Sequence, residues 1–121
     1  MDAEFLPGNQ ITLLNSGREY FPRLLSDIEA AASEIYLESY IYADDGIGRA
    51  VTDALCRAAE RGVKVHVLVD GFGAHNFERD FMPRLLAAGA HVMAYRREFA
   101  RFRLRRHRLR RLHRKLASID A

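Results

Sequence analysis

Three residues near the carboxyl end of the chain combine types and spacing that suit phosphoryl transfer: His113, Lys115 and Asp120, in the pattern H-x-K-x-x-x-x-D. In an extended strand, side chains two residues apart project from the same face, so the imidazole and the ammonium can contact one phosphate together. An imidazole nitrogen is a nucleophile at phosphorus, and an ammonium stabilises charge that develops on the phosphate oxygens. Asp120 has the opposite parity along a regular strand, and we therefore expect it to support the site.

Charged residues near this motif are candidates for binding the substrate. Arg111 and Arg114 lie on either side of His113, where we expect them to assist in binding an anionic group. Glu38 lies in the middle of a predicted strand, and a carboxylate there needs a partner because an unpaired buried charge is costly. It either positions Lys115 or His113 from a neighbouring strand or pairs with an arginine. Spacing alone does not establish the site, because these residue types occur together often.

The predicted strands and helices that must position the motif alternate along the chain. The β-α-β-α-β-α-β order is typical of an α/β fold with a largely parallel β-sheet and flanking helices. In the predicted strand 35–42, alternation places Glu38 on a face with the tyrosines, Tyr36, Tyr40 and Tyr42. Pro22 is compatible with the first helix only if it lies in the first turn. We predict strands at 10–14, 35–42, 63–69, 90–95 and 115–120, and helices at 18–32, 48–61 and 76–88.

Charge is distributed unevenly along the 121 residues. Residues 1–95 carry 8 basic and 14 acidic side chains, a net charge of −6, whereas residues 96–121 carry 11 basic and 2 acidic ones, a net charge of +9. Residues 96–114 are dense in arginine, with apolar residues on one side of a helical projection, a pattern typical of a segment that lies on a membrane surface. Such a segment would bind anionic lipid, and would also bind nucleic acid without sequence preference.

The composition indicates a single globular domain over residues 1–121. Hydrophobic residues make up 49% of the chain and charged residues 29%, which are ordinary globular values. No segment reaches the roughly 20 apolar residues of a membrane span, and the acidic amino terminus does not resemble a signal peptide. We therefore expect a cytoplasmic protein whose contact with a membrane is peripheral. Its single Cys56 cannot form an internal disulfide. His66, His75 and His91 lack the spacing of a metal site, so no metal is expected there. No other cofactor is expected.

An ordered set of six segments resembles the amino-terminal half of a bacterial cardiolipin synthase, a member of the phospholipase D superfamily. The segments, with their sequences in this chain, are GNQITLL at 8–14, EYFP at 19–22, IYLESYIY at 35–42, GVKV at 62–65, VLVDGFG at 67–73 and RLHRKL at 111–116. The resemblance implies a phospholipase D-like half-domain in which His113 is the nucleophile that forms a phosphohistidine or the acid that protonates the leaving alcohol. It implies that Lys115 holds phosphate oxygens and that no metal is required. The reaction would transfer a phosphatidyl group from phosphatidylglycerol to an alcohol.

The chain departs from the family pattern in one respect that bears on activity. Family members pair two such motifs, and this chain contains one. We therefore expect a truncated half that is inactive alone and that needs a second phospholipase D-like half, from a missing carboxyl-terminal region or from another chain. One alternative is a single-motif phosphodiesterase or nuclease completed by homodimerisation. Another is a non-catalytic module that binds anionic lipid or nucleic acid through residues 96–114.

Overall fold

Alternating strands and helices build one mixed sheet in the computed structural model, which describes residues 4–71, 74, 76–95 and 113–121. The strands within these ranges lie in the order β3-β2-β1-β4. β1, β2 and β3 are parallel, and β4 is antiparallel to β1. The largely parallel sheet with flanking helices is therefore confirmed. The elements are α1 (Ser16–Ala30), β1 (Glu34–Ser39), α2 (Gly46–Glu60), β2 (Lys64–Asp70), α3 (Phe77–Asp80), α4 (Met82–Ala88), β3 (His91–Tyr95) and β4 (Lys115–Ile119).

The core lies between the helices and one face of this sheet. Inward-facing strand residues alternate with outward-facing ones, as the two-residue period of a strand requires. α2 buries an apolar stripe, and it packs between α1 and α4. On the other face of the sheet, Tyr36, Met93 and Leu116 are exposed. The buried residues are, on the strands, Ile35, Leu37, Val65, Val67 and Val69 and, on α2, Val51, Ala54, Leu55 and Ala58.

The strand predicted at residues 10–14 is wrong, because this segment has no regular structure. Ile11 and Leu13 are 92% and 82% exposed. A strand is stable only when its backbone groups pair with a neighbour, and no described strand pairs with this segment. Alternation of apolar residues alone therefore does not show whether a segment has a neighbouring strand to pair with.

Prolines account for two further corrections. α1 begins at Ser16, so Pro22 lies inside the helix and not in its first turn. Its ring nitrogen cannot donate the usual backbone hydrogen bond, and α1 tolerates this loss while burying Leu24 and Ile28. The single helix predicted at 76–88 is interrupted at Phe81, because Pro83, in the first turn of α4, cannot continue the backbone hydrogen bonding of α3. α4 ends as expected at Gly89, whose φ of 99° is in the left-handed region.

The strand predicted at 35–42 ends at Ser39, and this early end changes where the following residues point. Ile41 is 60% exposed although a continued strand would place it on the face of Ile35 and Leu37, and Tyr42 is buried although the alternation placed it with Tyr36. The Tyr42 ring contacts Phe77 and Phe81 at centroid distances of 4.8 and 5.1 Å. These contacts hold the segment that joins β1 to α2.

Two of the predictions made from the sequence concern contact with a membrane. Among the described residues, none of the helices is both long enough and apolar enough to cross a membrane. The predicted amphipathic segment at 96–114 lies outside the described residues except for His113 and Arg114. The site residue Arg111 and the residue His75 also lie outside them.

Candidate active site

His113 and Lys115 lie side by side at the carboxyl end of β1. β4 begins at Lys115, which pairs with Ser39, the last residue of β1, and His113 lies just before this strand. Lys115 Nζ is 3.0 Å from both Nδ1 and Nε2 of His113. Both side chains are exposed. The structure therefore brings together the two residues that the motif predicts for one phosphate, at the end of a parallel strand where ligands of α/β folds usually bind.

The hydrogen-bonding roles in the contact between Lys115 and His113 depend on the tautomer of the imidazole. An ammonium only donates hydrogen bonds, and a neutral imidazole has a single unprotonated nitrogen that can accept one. Because Lys115 Nζ is equally far from both ring nitrogens, the ammonium lies against the ring and is not aligned with the lone pair of either nitrogen. An unprotonated imidazole nitrogen can attack a phosphorus atom, and an ammonium beside it can contact the phosphate oxygens.

Tyr40 forms one wall of the site, and the sequence did not identify it. Its ring centroid is 4.6 Å from that of His113. Lys115 Nζ lies 5.4 Å from the same ring, within the range of a cation–π interaction. The predicted strand 35–42 placed Tyr40 on a face with Glu38, and no signal in the sequence showed that β4 would pair with β1 beside it. The tyrosine contacts both motif residues because it follows Ser39 directly.

Lys115 lies on the same face of the sheet as its pairing partner Ser39. Glu38 directly precedes Ser39 and therefore lies on the opposite face, since successive strand residues alternate between faces. Its closest cation among the described residues is Arg114, with Nη1 3.6 Å from Oε2. Oε2 is buried and accepts no hydrogen bond from any described residue. Of the two partners that the sequence left open, the structure places the carboxylate next to the arginine. Because the Arg114 side chain is 68% exposed, this ion pair contributes at most about 1 kcal/mol to stability.

Asp120 lies at the far end of β4 from Lys115. Four residues lie between the two, so that their Cα atoms are five residue steps apart, roughly 17 Å at about 3.4 Å per residue. Its carboxylate accepts hydrogen bonds from the backbone N–H groups of Ala32, Ser33 and Glu34 at 2.8, 2.7 and 3.0 Å, and from the Ser33 hydroxyl at 2.9 Å. These bonds, led by the one from the Ser33 backbone, hold the pKa of the Asp120 carboxyl well below its usual range. The aspartate therefore ties the end of β4 to the start of β1.

Two histidines outside the motif that the structure describes, His66 and His91, lie side by side on the open face of the sheet. Tyr36, His66 and His91 occupy paired positions on β1, β2 and β3. The Tyr36 and His66 rings are stacked at 4.5 Å, and those of His66 and His91 at 4.9 Å. Within the described ranges, no three side chains of the usual ligand types converge on a metal position.

The fold and the site together describe an α/β domain with a histidine–lysine pair at the edge of its sheet. The family model described as "Cardiolipin synthase, PLD-like domain" matches residues 24–121. The chain belongs to this family of phospholipase D-like domains, and the resemblance seen in the six segments is confirmed.

Known relatives agree with this assignment. The chain is 38% identical to cardiolipin synthase B of Escherichia coli (strain K12) over 121 residues, which cover 100% of the chain and 29% of that protein. It is 40% identical to the major cardiolipin synthase ClsA of Bacillus subtilis (strain 168), over 98% of the chain and 24% of that protein. The chain thus spans 24% to 29% of the length of these relatives. Among solved structures, polyphosphate kinase from Porphyromonas gingivalis superposes with a TM-score of 0.44 and 31% identity, over 62% of this chain and 13% of that one.

Proposed function

We propose that residues 1–121 form one catalytic half of a cardiolipin synthase-type phosphatidyltransferase. The proposal rests above all on the contact between His113 and Lys115, because this pair presents a nucleophile and a cation to the same phosphate. Membership of the cardiolipin synthase family makes phosphatidylglycerol the expected phosphatidyl donor. Tyr40 and Arg114 border the pair, and both have roles in positioning or binding. Asp120 acts through the fold, by fixing the register of β4.

The proposed reaction has two displacements at phosphorus. In the first, the lone-pair nitrogen of His113 attacks the phosphate of phosphatidylglycerol, a P–N bond forms, and the bond to the glycerol oxygen breaks. Lys115 moves from the imidazole to the phosphate oxygens, where its charge stabilises the transition state. In the second, the hydroxyl of an acceptor alcohol attacks phosphorus, loses its proton to a base, and releases His113. When the acceptor is a second phosphatidylglycerol, the product is cardiolipin.

One histidine is not sufficient for this cycle. The leaving glycerol oxygen must receive a proton in the step in which His113 is the nucleophile, so another group must act as the acid. Among the described residues, the arrangement contains one histidine at the site, since His66 and His91 lie on the open face of the sheet. We propose that a second H-x-K-x-x-x-x-D motif supplies the acid, from a further region of a longer protein or from another chain. The 121 residues alone are then inactive.

We further propose that the domain works at the cytoplasmic surface of the inner membrane. The net charge of +9 over residues 96–121 supports this, because each basic residue near an anionic leaflet contributes about 1 kcal/mol to binding. Binding to vesicles of phosphatidylglycerol should weaken strongly as salt is raised from 0.05 to about 0.5 M, because the attraction is screened. Binding that is insensitive to salt would contradict an electrostatic attachment.

A chimera tests the catalytic proposal. This chain replaces the aligned segment of E. coli cardiolipin synthase B, and cardiolipin formation from labelled phosphatidylglycerol is measured in vesicles. We expect the chimera to be active and its His113→Ala and Lys115→Met variants to fall to background. His91→Ala, which changes an exposed histidine remote from the pair, is the matched control and should retain activity. A folded chimera without activity, or an active His113→Ala variant, would overturn the proposal.

The same preparations separate the alternatives. If the 121-residue chain by itself hydrolyses DNA or a simple phosphodiester, and does so as a dimer, the homodimeric phosphodiesterase is the better description. If the chain binds vesicles or nucleic acid while the folded chimera is inactive, the domain is a binding module.

A further inference from the structure

A groove leads away from the histidine–lysine pair on the helix side of the sheet. It runs between α1 and α2 at the carboxyl end of β1, has a volume of about 300 Å³, and has Lys115 as part of its lining. That volume is at the lower end of the range of about 300–1,000 Å³ for small-molecule sites. The other walls are mainly apolar and include Tyr20, Phe21, Leu24, Ile41, Ile47 and Val51.

Two polar side chains in the walls have hydrogen-bond partners in the protein. The Ser39 hydroxyl donates to the carbonyl oxygen of Ile41 at 2.6 Å. The Asp45 carboxylate accepts a hydrogen bond from the backbone N–H of Gly48 at 2.8 Å. Because these groups are engaged, they do not compete for a polar ligand inside the groove. The groove therefore offers an occupant apolar contact along its length and positive charge at one end.

The charges at the end of the groove favour an anion. Lys115 brings a positive charge to this end of the groove. The carboxylate of Glu38, on the opposite face of β1 from Lys115, is next to the guanidinium of Arg114, which offsets its negative charge. A phosphate bound by Lys115 would place its ester substituents at the mouth of the groove. Ile41 and Ile47, which are 60% and 41% exposed, form apolar rims there that are accessible to a ligand.

We propose that this groove binds one hydrocarbon chain of an amphiphile whose phosphate lies at Lys115 and His113. The inference rests on the proposed function, and it assigns a separate binding surface to the apolar part of the substrate. A lipid bound in this way withdraws one chain from the bilayer into the protein. The other chain stays outside, since a volume of about 300 Å³ matches a small ligand and not a whole diacyl lipid.

A series of alkyl phosphates tests this inference on the 121-residue chain. Inorganic phosphate, butyl, hexyl and octyl phosphate are titrated below their micelle-forming concentrations, and affinity is measured by calorimetry. We expect affinity to rise by up to about fourfold per methylene, corresponding to about 0.8 kcal/mol for each buried CH₂, and then to level off once the groove is filled. An affinity that does not depend on chain length would overturn the proposal.

Matched variants locate the binding. Ile41→Asp and Ile47→Asp place a charge at the rim of the groove, on side chains exposed enough to leave the core intact. We expect both to abolish the dependence on chain length while inorganic phosphate binds as before. Leu86→Asp is the control, because Leu86 is 51% exposed on α4 and does not line the groove. Equal losses in all three variants would indicate nonspecific adsorption and refute the groove.

Lys115→Met separates this inference from the proposed function. Loss of inorganic phosphate binding in this variant supports the phosphate site. If phosphate binding is unchanged but affinity still rises with chain length, the phosphate site is wrong and the groove stands. If phosphate binding is lost and the wild-type series is flat, the groove is wrong and the phosphate site stands.

Discussion

The buried hydrogen bond between Tyr42 and Thr52 anchors the segment that places Tyr40 in the site. The Tyr42 hydroxyl lies 2.7 Å from Thr52 Oγ1, and the Thr52 hydroxyl donates to the carbonyl oxygen of Gly48 at 2.8 Å. The tyrosine is therefore the donor of the first bond. Burial raises the pKa of Tyr42 to about 12, so this donor keeps its proton at neutral pH.

Removing one partner or the other should have unequal costs. Tyr42→Phe removes one hydrogen bond but leaves the Thr52 hydroxyl bonded to Gly48, so we expect a loss of about 0.5–1.5 kcal/mol. Thr52→Val leaves the Tyr42 hydroxyl buried without an acceptor, so we expect a loss of about 1–3 kcal/mol. The double variant removes both polar groups and should lose less than the sum of the two, by about 1 kcal/mol.

Urea unfolding followed by circular dichroism measures these free energies. The dependence of the free energy on urea concentration should be the same in all four proteins, so that differences in midpoint report stability alone. Losses that add to within about 0.3 kcal/mol in the double variant would refute the coupling. So would a loss in Tyr42→Phe that matches the loss in Thr52→Val.

Three further substitutions test other parts of the site. Asp120→Asn should lower the melting temperature at pH 7. The pKa of Asp120 is lowered in the folded state, so the difference in melting temperature between wild type and variant should persist above the unfolded-state pKa of about 3.9. The difference should shrink as the pH falls below that value, because the carboxylate becomes protonated. A difference that does not change with pH would contradict the assigned hydrogen bonds. Tyr40→Leu should weaken phosphate binding about two- to fivefold through loss of the cation–π contact, whereas Tyr40→Phe should not; equal effects would exclude a role for the ring. Gly48→Ala should destabilise the fold by about 1–3 kcal/mol, because a Cβ there would lie 1.9 Å from the carbonyl oxygen of Ala43. Gly46→Ala is the control and should not destabilise it, because a Cβ at that position meets open space. Equal urea midpoints for the two variants would refute this prediction.

The sequence predicted most of the sheet and the composition of the motif because both depend on local patterns. Alternation and helical periodicity located the strands β1, β2 and β3 and the helices α1 and α2. The side-by-side position of His113 and Lys115 followed from a two-residue period. These features need no knowledge of which strand lies next to which.

These local patterns did not predict which strands pair across long stretches of sequence. The antiparallel placement of β4 beside β1 brings Tyr40 to His113 and Asp120 to Ser33, over 73 and 87 residues of sequence. Local periodicity contains no information about such partners. It also did not show that residues 10–14 lack a neighbour, or that Tyr42 turns inward once β1 ends.

The antiparallel pairing of β4 with β1 gives the spacing of the motif a structural meaning. Lys115 pairs with the last residue of β1, and Asp120 binds the backbone at its first residue, Glu34. Deleting one residue between them would shorten this span by about 3.4 Å and turn one of the two side chains to the opposite face. Either Asp120 would lose its donors or Lys115 would leave His113. The number of residues between the lysine and the aspartate is thus set by the length of the neighbouring strand.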